Sequence, residues 1–543
     1  MAEEKSQTKK AYISVLALTM MNVSMVAGLA NDVQQSFYGL ASVTYFAIGA
    51  ICFFIPTALV AAELASGWSN RGGIFRWVGE GLGKGWALTC LLILWFQTML
   101  NFGMGMPSFT ATIMFYTPNY DAAVKFAQDP HHELLIMTGW IILYWILTWL
   151  ATKGVKAFSN IAKYGVIIGS LIPLVVMIIL AIIWLAQGHQ PAIPMTPKGL
   201  IPKWNGMSTL ALAAGVFFSY TGIDMNAAHI KQLKHPERDF TKAMFISIIL
   251  AFLIFVVGTV IIAMIIPEKQ INVLYTLFSV FRVLGTTIGI PWLYMVLVWA
   301  LLCNTIAMVI TNMAGPSFML GQAGGSGFLP NWFQEKNKHK MPSHLMYTQI
   351  AGMTIIAYLV KMIPNVEGFV IMLTQTITVL YMIYYILMFT AFLRLRYDQP
   401  NRPRRFKVPG GMFGAWLVAG IGLISSVFAI VLAIYPPAQV KAEVGSPVTY
   451  VSVIIILVLV ILAICLLLYQ LSKKHDWVDP DNEFAPFTWQ IEGLKKPGKA
   501  TSNIPTTVMS KDQNPMGMPI KRKYSPDQQI SKAELQEIKN EKQ

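Results

Sequence analysis

The stretch that decides the fold is Ser219-Tyr220-Thr221-Gly222-Ile223-Asp224, which puts small and polar residues in the middle of an apolar run. A second apolar run is interrupted in the same way by Ser24-Met25-Val26-Ala27-Gly28. Such breaks expose backbone N–H and C=O groups at membrane depth, which is tolerated only where these groups face protein or a water-filled cavity. Two breaks at corresponding positions of two halves are typical of the binding site of a membrane transporter.

The composition is that of a membrane protein. Charged residues make up 12% of the 543 residues and hydrophobic residues 55%, whereas soluble domains carry about 25% charged residues. The runs 164–185 and 451–468 contain no charge and are long enough to span a bilayer. The sequence therefore predicts an all-α polytopic membrane protein with twelve transmembrane helices, near residues 12–31, 39–63, 86–117, 133–151, 158–186, 206–231, 240–266, 290–322, 343–362, 366–394, 411–435 and 447–471.

The net charge of +15 follows from membrane topology. With the N-terminus placed inside, six inner segments, the N-terminal one included, hold 22 lysines and arginines and the outer loops hold 7. Basic residues accumulate on the cytoplasmic side of a membrane. We therefore expect a multi-pass protein of the cytoplasmic (inner) membrane with both termini in the cytoplasm, and we do not expect a nucleic-acid partner.

The spans form two blocks of five, spans 1–5 and spans 6–10, and each block begins with a broken helix. Because five is odd, the blocks have opposite orientations, which predicts a LeuT-like 5+5 inverted repeat with spans 11 and 12 as extra helices. We predict a cytoplasmic N-terminus at 1–11, a transporter core at 12–471 and a flexible cytoplasmic tail at 472–543. The tail has charges of both signs and many prolines, and its docking in the inner mouth stays open.

The two breaks suit a zwitterion. Free N–H groups at the start of a half-helix bind a carboxylate, and unwound carbonyls bind an ammonium, so an α-amino acid fits both. We expect Ser24, Met25, Val26, Ala27 and Gly28 to hold the carboxylate, and Tyr220, Thr221 and Gly222 to hold the amine. The alternative is that one break is a packing kink.

Asp224 is the acidic residue that lies in the middle of a predicted span. A carboxylate at that depth costs about 3 kcal/mol on insertion scales, so it must face a cavity, a partner or a proton. One interpretation is gating or proton coupling. The other is a structural cap on the second half-helix, whose positive end favours a negative group.

Further polar residues inside predicted spans are weaker candidates. Tyr381 and Tyr385 are four residues apart and share one face of span 10, which suits cavity lining. Gln97 lies on span 3, and hydrogen bonding between helices is the alternative role for all three side chains. Lys163 lies near the inner end of span 5, where a coupling role competes with a side chain that reaches for the interface.

The sequence contains no cluster of histidines and carboxylates with metal-binding spacing, no phosphate-binding loop and no nucleophile with an evident base. Its four cysteines all fall inside predicted spans without metal-like spacing. We therefore expect no enzyme activity, cofactor or metal. The expected partners are small amino acids and the lipid bilayer, and the oligomeric state stays open.

Several motifs carry a resemblance to a known superfamily. After span 2, Ala61-Ala62-Glu63-Leu64-Ala65 is followed by Gly72-Gly73-Ile74-Phe75-Arg76. Further matches are residues 220–229, His235-Pro236-Glu237-Arg238-Asp239, Gly315-Pro316-Ser317, Val408-Pro409-Gly410-Gly411 and Tyr435-Pro436-Pro437. Over residues 12–471 the chain resembles the amino acid–polyamine–organocation superfamily, and within it the bacterial glutamate/GABA antiporters.

The resemblance implies a LeuT-like fold and amino-acid exchange by alternating access. It also implies that Asp224 corresponds to an acidic residue of the family, that Lys163 matches a fifth-helix lysine, and that a tail can plug the inner mouth. Span 8 departs from the pattern, because Cys303, Met308 and Asn312 stand where ionisable and aromatic residues are expected. The substrate therefore stays open, and the alternatives are a proton-coupled amino-acid symporter and a non-transporting amino-acid sensor.

Overall fold

The computed structural model describes residues 13–26, 32–68, 73–115, 117, 119–127, 130–202, 210, 213–226, 233–271, 276–361, 366–436, 446–475, 477, 487–491 and 496–498. Within these residues the regular structure is helical, apart from one isolated bridge between Ile13 and Leu233.

The main helices, in chain order, are α1 (Val15–Val26), α2 (Ala41–Gly67), α3 (Ile74–Leu82), α4 (Lys84–Met114), α5 (Tyr120–Ala127), α6 (Pro130–Ala151), α7 (155–186), α8 (Ala214–Ser219), α9 (Pro236–Ile265), α10 (Thr276–Thr287), α11 (Leu293–Ala323), α12 (Ser343–Lys361), α13 (Val366–Asp398), α14 (Gly411–Ile434), α15 (Pro447–Lys474) and α16 (Thr488–Ile491). Short helical turns cover Asp32–Gln35, Ser36–Tyr38, Pro197–Leu200, Glu268–Gln270 and Asn331–Gln334.

Eight helices of the described chain are long and apolar enough to cross a membrane. They are α2, α4, α7, α9, α11, α13, α14 and α15, and the shorter apolar helices Val15–Ser24 and Met137–Ala151 accompany them. The outward faces of α14 and α15 carry exposed isoleucines, leucines and valines, as lipid contact requires. A helical polytopic chain is thus confirmed, while twelve spans and the inverted repeat stay predictions.

Helices α7 and α11 pack closely through small residues. A Cβ atom on Gly169 would lie 2.5 Å from the carbonyl oxygen of Ala300, and one on Gly165 would lie 2.6 Å from that of Cys303. Small residues allow backbones to approach in a bilayer, where the hydrophobic effect does not drive helices together. Residues 167–171 of α7 form a π-helical turn at this contact, and Ser170 there donates a hydrogen bond to Asn304 on α11 at 3.0 Å.

A group of buried charges joins the end of α2 to the end of α13. Glu63 on α2 accepts a 2.5 Å hydrogen bond from Arg396 on α13 and lies 3.4 Å from Arg404. The backbone N–H of Val408 donates to the same carboxylate at 2.7 Å. Burial lowers the pKa of Arg404 to about 10, so its guanidinium is still charged at neutral pH. The loop 399–410 is thereby fixed across the end of α2.

Part of the segment that we predict to be a flexible tail is packed against α3. Phe487 and Trp489 are buried, and the indole of Trp489 donates to the Gly79 carbonyl at 3.0 Å. The N–H and hydroxyl of Thr488 both donate to Glu80, at 3.0 Å and 3.1 Å. Residues 487–491 therefore form a docked turn on α3, and residues 499–543 lie outside the described residues.

Candidate functional site

The second break is a buried turn that follows α8. This helix ends at Ser219, after which the N–H groups of Tyr220 and Thr221 bond three residues back, to Phe217 at 3.2 Å and to Phe218 at 3.0 Å. Gly222 then has a φ of +95°. That conformation is accessible to glycine and strained for other residues. The α-helical ladder is therefore interrupted here, as the sequence predicted.

Two tyrosines of α13 hold this turn. The Tyr385 hydroxyl accepts a 2.8 Å hydrogen bond from the Gly222 N–H and donates one of 2.8 Å to Oδ1 of Asp224. The Tyr384 hydroxyl donates to Oδ2 of the same carboxylate. Asp224 is 2% exposed. Both carboxylate oxygens are thus satisfied by hydroxyl donors, which is how a buried carboxylate is stabilised without a cation.

The other side of the turn rests on α2. The Tyr220 hydroxyl donates to the carbonyl oxygen of Phe46 at 3.0 Å, and its ring stacks on Phe54 with centroids 4.5 Å apart. Tyr220 is fully buried. The break therefore contacts both α2 and α13.

The first break is described as far as Val26, where α1 ends. The Ser24 hydroxyl donates back to the Met21 carbonyl at 2.7 Å. Ala27 and Gly28 lie outside the described residues, and so does the side chain of Met25. The two broken helices meet just beside their breaks, where Nδ2 of Asn226 donates to Oδ1 of Asn22 at 3.1 Å.

Tyr381 lies one helical turn before Tyr385 and extends the aromatic surface next to the break. Its ring is 6.2 Å from that of Tyr385 and 6.1 Å from that of Phe218. Its hydroxyl lies close to the side chains of Thr221 and Gln97. The side chains of α4, the break and α13 therefore meet at Tyr381.

Lys163 lies apart from this group of contacts. Its ammonium lies 5.0 Å from the ring centre of Tyr164, a side chain that is 56% exposed. Among the described residues, no group of three histidines, cysteines or acidic residues could hold a metal ion.

Sequence reasoning found Asp224 and Tyr385 but missed Tyr384, Asn22 and Asn226. Tyr381 and Tyr385 were selected because residues four apart share a helix face. Tyr384 is adjacent to Tyr385 in sequence, so this rule did not select it. Asn22 and Asn226 each lie two residues from a residue that was singled out, Ser24 and Asp224. A buried amide beside each break was the available signal, because such amides need a partner.

Comparison with known proteins identifies the family. The family model for amino acid permeases matches residues 13–463. The chain belongs to the amino acid permease family. Within that family, this permease is 28% identical to a glutamate/gamma-aminobutyrate antiporter of Lactococcus lactis over 87% of its own length and 93% of the relative's.

Two other relatives have different descriptions. An uncharacterised transporter of Legionella pneumophila is 28% identical over 80% of this chain and 92% of its own. A probable agmatine/putrescine antiporter of Lactococcus lactis is 21% identical over 84% of this chain and 94% of its own. This permease is thus a multi-pass membrane protein that transports amino acids, and it is not an enzyme.

Proposed function

We propose that this permease is an amino-acid antiporter that works by alternating access, with its substrate bound at the two breaks. The observation that carries this proposal is the buried turn 220–224, which is held by Tyr384 and Tyr385 and lies beside α1 through the Asn22–Asn226 bond. Antiport is supported by the names of the Lactococcus relatives, which are antiporters of glutamate and gamma-aminobutyrate.

The chemistry of the breaks suits the two charged ends of an amino acid. The ammonium binds at Tyr220, Thr221 and Gly222, where the turn removes carbonyls from the helical ladder. The carboxylate binds at residues 24–28, where α1 ends at Val26 and where, in this proposal, the N–H groups that follow begin the second half of the first span. Tyr381 lines the cavity beside them. Since Tyr385 already bonds both the Gly222 N–H and Asp224, its hydroxyl positions the turn around the substrate.

In this proposal Asp224 connects the substrate site to the movement that opens and closes the cavity. It lies two residues past Gly222, and its carboxylate is bonded to α13 alone among the described helices. A movement of α13 that opens the cavity to water also changes the surroundings of this charge. In our proposal Asp224 therefore couples opening to pH. Lys163, near the inner end of span 5, is the second coupling residue.

The architecture that we propose is a LeuT-like 5+5 inverted repeat plus two extra helices. Twelve spans across residues 12–471 follow a cytoplasmic segment at 1–11 and precede a cytoplasmic tail at 472–543. The relatives' bacterial sources and the 22-to-7 excess of basic residues on one side support an inner membrane with both termini in the cytoplasm.

Purified protein in liposomes tests this function. For an antiporter, efflux of labelled internal amino acid requires amino acid outside, and a proton gradient alone drives no uptake. A proton-coupled symporter accumulates amino acid when only a proton gradient is imposed. A sensor binds amino acid, as measured by a thermal shift, without flux in either format. Either of the last two results overturns antiport.

A further inference from the structure

The described surroundings of the second break are short of charge. Asp224 is the buried charged side chain there, and its two oxygens accept from Tyr384 and Tyr385. The nearly buried arginine of the described candidate spans, Arg396, lies at the end of α13 and pairs with Glu63. An anionic substrate side chain at this place would therefore lack a cationic partner and would lie near the Asp224 charge.

Three neutral side chains meet beside the break, and we name them the polar triad: Gln97, Thr221 and Tyr381. Each comes from a different element, namely α4, the turn after α8, and α13. The Tyr381 hydroxyl lies close to the other two side chains, and its ring is 6.1 Å from that of Phe218, whose carbonyl accepts a hydrogen bond from the Thr221 hydroxyl. All three are at most 5% exposed. The triad touches the turn that we propose for the substrate ammonium, because Thr221 belongs to both.

One member of the polar triad has an unused acceptor. Nε2 of Gln97 donates to the Thr98 hydroxyl at 2.9 Å, but its Oε1 is buried and has no hydrogen-bond partner among the described residues. A buried polar atom without a partner costs about 1–3 kcal/mol. Gln97 is 1% exposed, so bulk water does not satisfy this oxygen. A donor brought by the substrate would remove the cost.

We propose that the polar triad binds the side chain of a neutral amino acid that carries an N–H or O–H donor, and that Gln97 is the residue that selects it. The best fit is a carboxamide side chain, as in glutamine or asparagine, because it donates to Oε1 of Gln97 and accepts from the hydroxyl of Tyr381. The inference rests on the proposed antiport and names its substrate class.

Substrates with charged or apolar side chains fit the polar triad less well, each for a different reason. A carboxylate side chain offers no donor to Oε1 of Gln97 and is repelled by Asp224. A cationic side chain can donate to Oε1 of Gln97 but offers no acceptor to the hydroxyl of Tyr381. An apolar side chain leaves Oε1 unpaired, and a site that is built to bond a polar group rejects an analogue without it.

Exchange assays in liposomes test the selection. Vesicles loaded with an equal mixture of unlabelled glutamine, asparagine, leucine, glutamate and agmatine are offered one of the five in labelled form. We expect glutamine and asparagine to exchange at least about tenfold faster than the other three, as one added buried hydrogen bond predicts. Faster exchange of glutamate, agmatine or leucine overturns the inference and leaves antiport intact. No exchange of any amino acid overturns the proposed function itself.

Variants assign the selection to the polar triad. Gln97→Leu should lower the ratio of glutamine to leucine exchange about tenfold, and Tyr381→Phe should lower it in the same direction by removing the hydroxyl alone. The matched control is Gln349→Leu, a buried glutamine that bonds Ser317 between α11 and α12. It should leave the ratio unchanged. An unchanged ratio in both Gln97→Leu and Tyr381→Phe would place the side-chain site elsewhere.

Discussion

Asp224 accepts one hydrogen bond on each carboxylate oxygen, from Tyr384 and Tyr385. An amide keeps one acceptor and turns the other into a donor, so one tyrosine loses its partner. We expect Asp224→Asn to keep amino-acid binding, to slow exchange about tenfold and to flatten the pH dependence of exchange, since the side chain no longer changes charge. Binding by thermal shift and exchange between pH 5 and 8 measure these effects.

The matched control for Asp224→Asn is Asp398→Asn. Asp398 pairs with Arg394, which is 43% exposed, so its loss should leave the rate and the pH profile unchanged. If the Asp224→Asn protein has the wild-type exchange rate and pH profile, the coupling role is contradicted and Asp224 is a structural cap on the second half-helix.

Gly222 combines a positive φ with an N–H that bonds Tyr385. A larger residue there adds backbone strain of about 1–3 kcal/mol and fills the space beside the turn. We expect Gly222→Leu and Gly28→Leu to abolish amino-acid binding while folded protein stays in the membrane, as measured by thermal shift and size-exclusion profile. Gly139→Leu is the control, because a Cβ atom there meets nothing within 4 Å. Wild-type affinity in Gly28→Leu would place the site elsewhere.

These residues show what the sequence could predict of the site. The break and its mid-span carboxylate were visible because small and polar residues are rare inside apolar runs. Tyr384 was not visible, because its role depends on the rotation of α13 relative to the turn, and a periodic pattern does not fix that rotation. The unpaired Oε1 of Gln97 was invisible for the same reason, since a partner is known only when neighbouring helices are in place.

At the scale of elements, Glu63 connects α2 to α13 and to the loop after it. Glu63→Gln removes the charge that two arginines share, and breaking a buried pair costs about 3–5 kcal/mol. We therefore expect a lower apparent melting temperature for the purified protein, measured by tryptophan fluorescence. Asp398→Asn breaks the partly exposed pair with Arg394 and should cost about 0–1 kcal/mol. Equal melting temperatures for the two variants would contradict the role of Glu63.

The docked turn 487–491 is held by two buried aromatic side chains, Phe487 and Trp489. The composition of the tail did not reveal them, because the flanking sequence is polar and rich in proline. Truncation after Lys474 removes the contacts of this turn with α3 and the hydrogen bonds from Gln334, Arg394 and Arg402 to residues 477–497. It removes no long apolar helix, so we expect an inserted protein that still binds amino acid. If the turn restrains the gate, truncation should raise exchange at neutral pH more than at acid pH. Gly79→Leu should then act alike, because a Cβ atom there would lie 2.2 Å from Phe487. Loss of binding on truncation would contradict a dispensable tail.

For the whole molecule, sequence and structure agree that the chain is helical, but they give different numbers of membrane-spanning helices. Hydropathy along the chain predicts twelve spans, whereas eight described helices are long and apolar enough on their own. Only residues 210 and 213–226 of the predicted span 206–231 are described, and they hold the six-residue helix α8 and a turn, so this span is not among the eight. Topology therefore has to be measured across that segment.

A labelling experiment measures it. Gln190 and Lys338 are exposed, and we predict three crossings between them, namely the broken span 206–231, α9 and α11. Because three is odd, the two positions should lie on opposite sides, with Lys338 inside according to the excess of basic residues. In intact cells and a cysteine-free background, an impermeant maleimide should label Gln190→Cys at once and Lys338→Cys only after permeabilisation. Labelling of both from outside would mean an even number of crossings, so the broken segment would not span the membrane, and the reverse pattern would invert the topology.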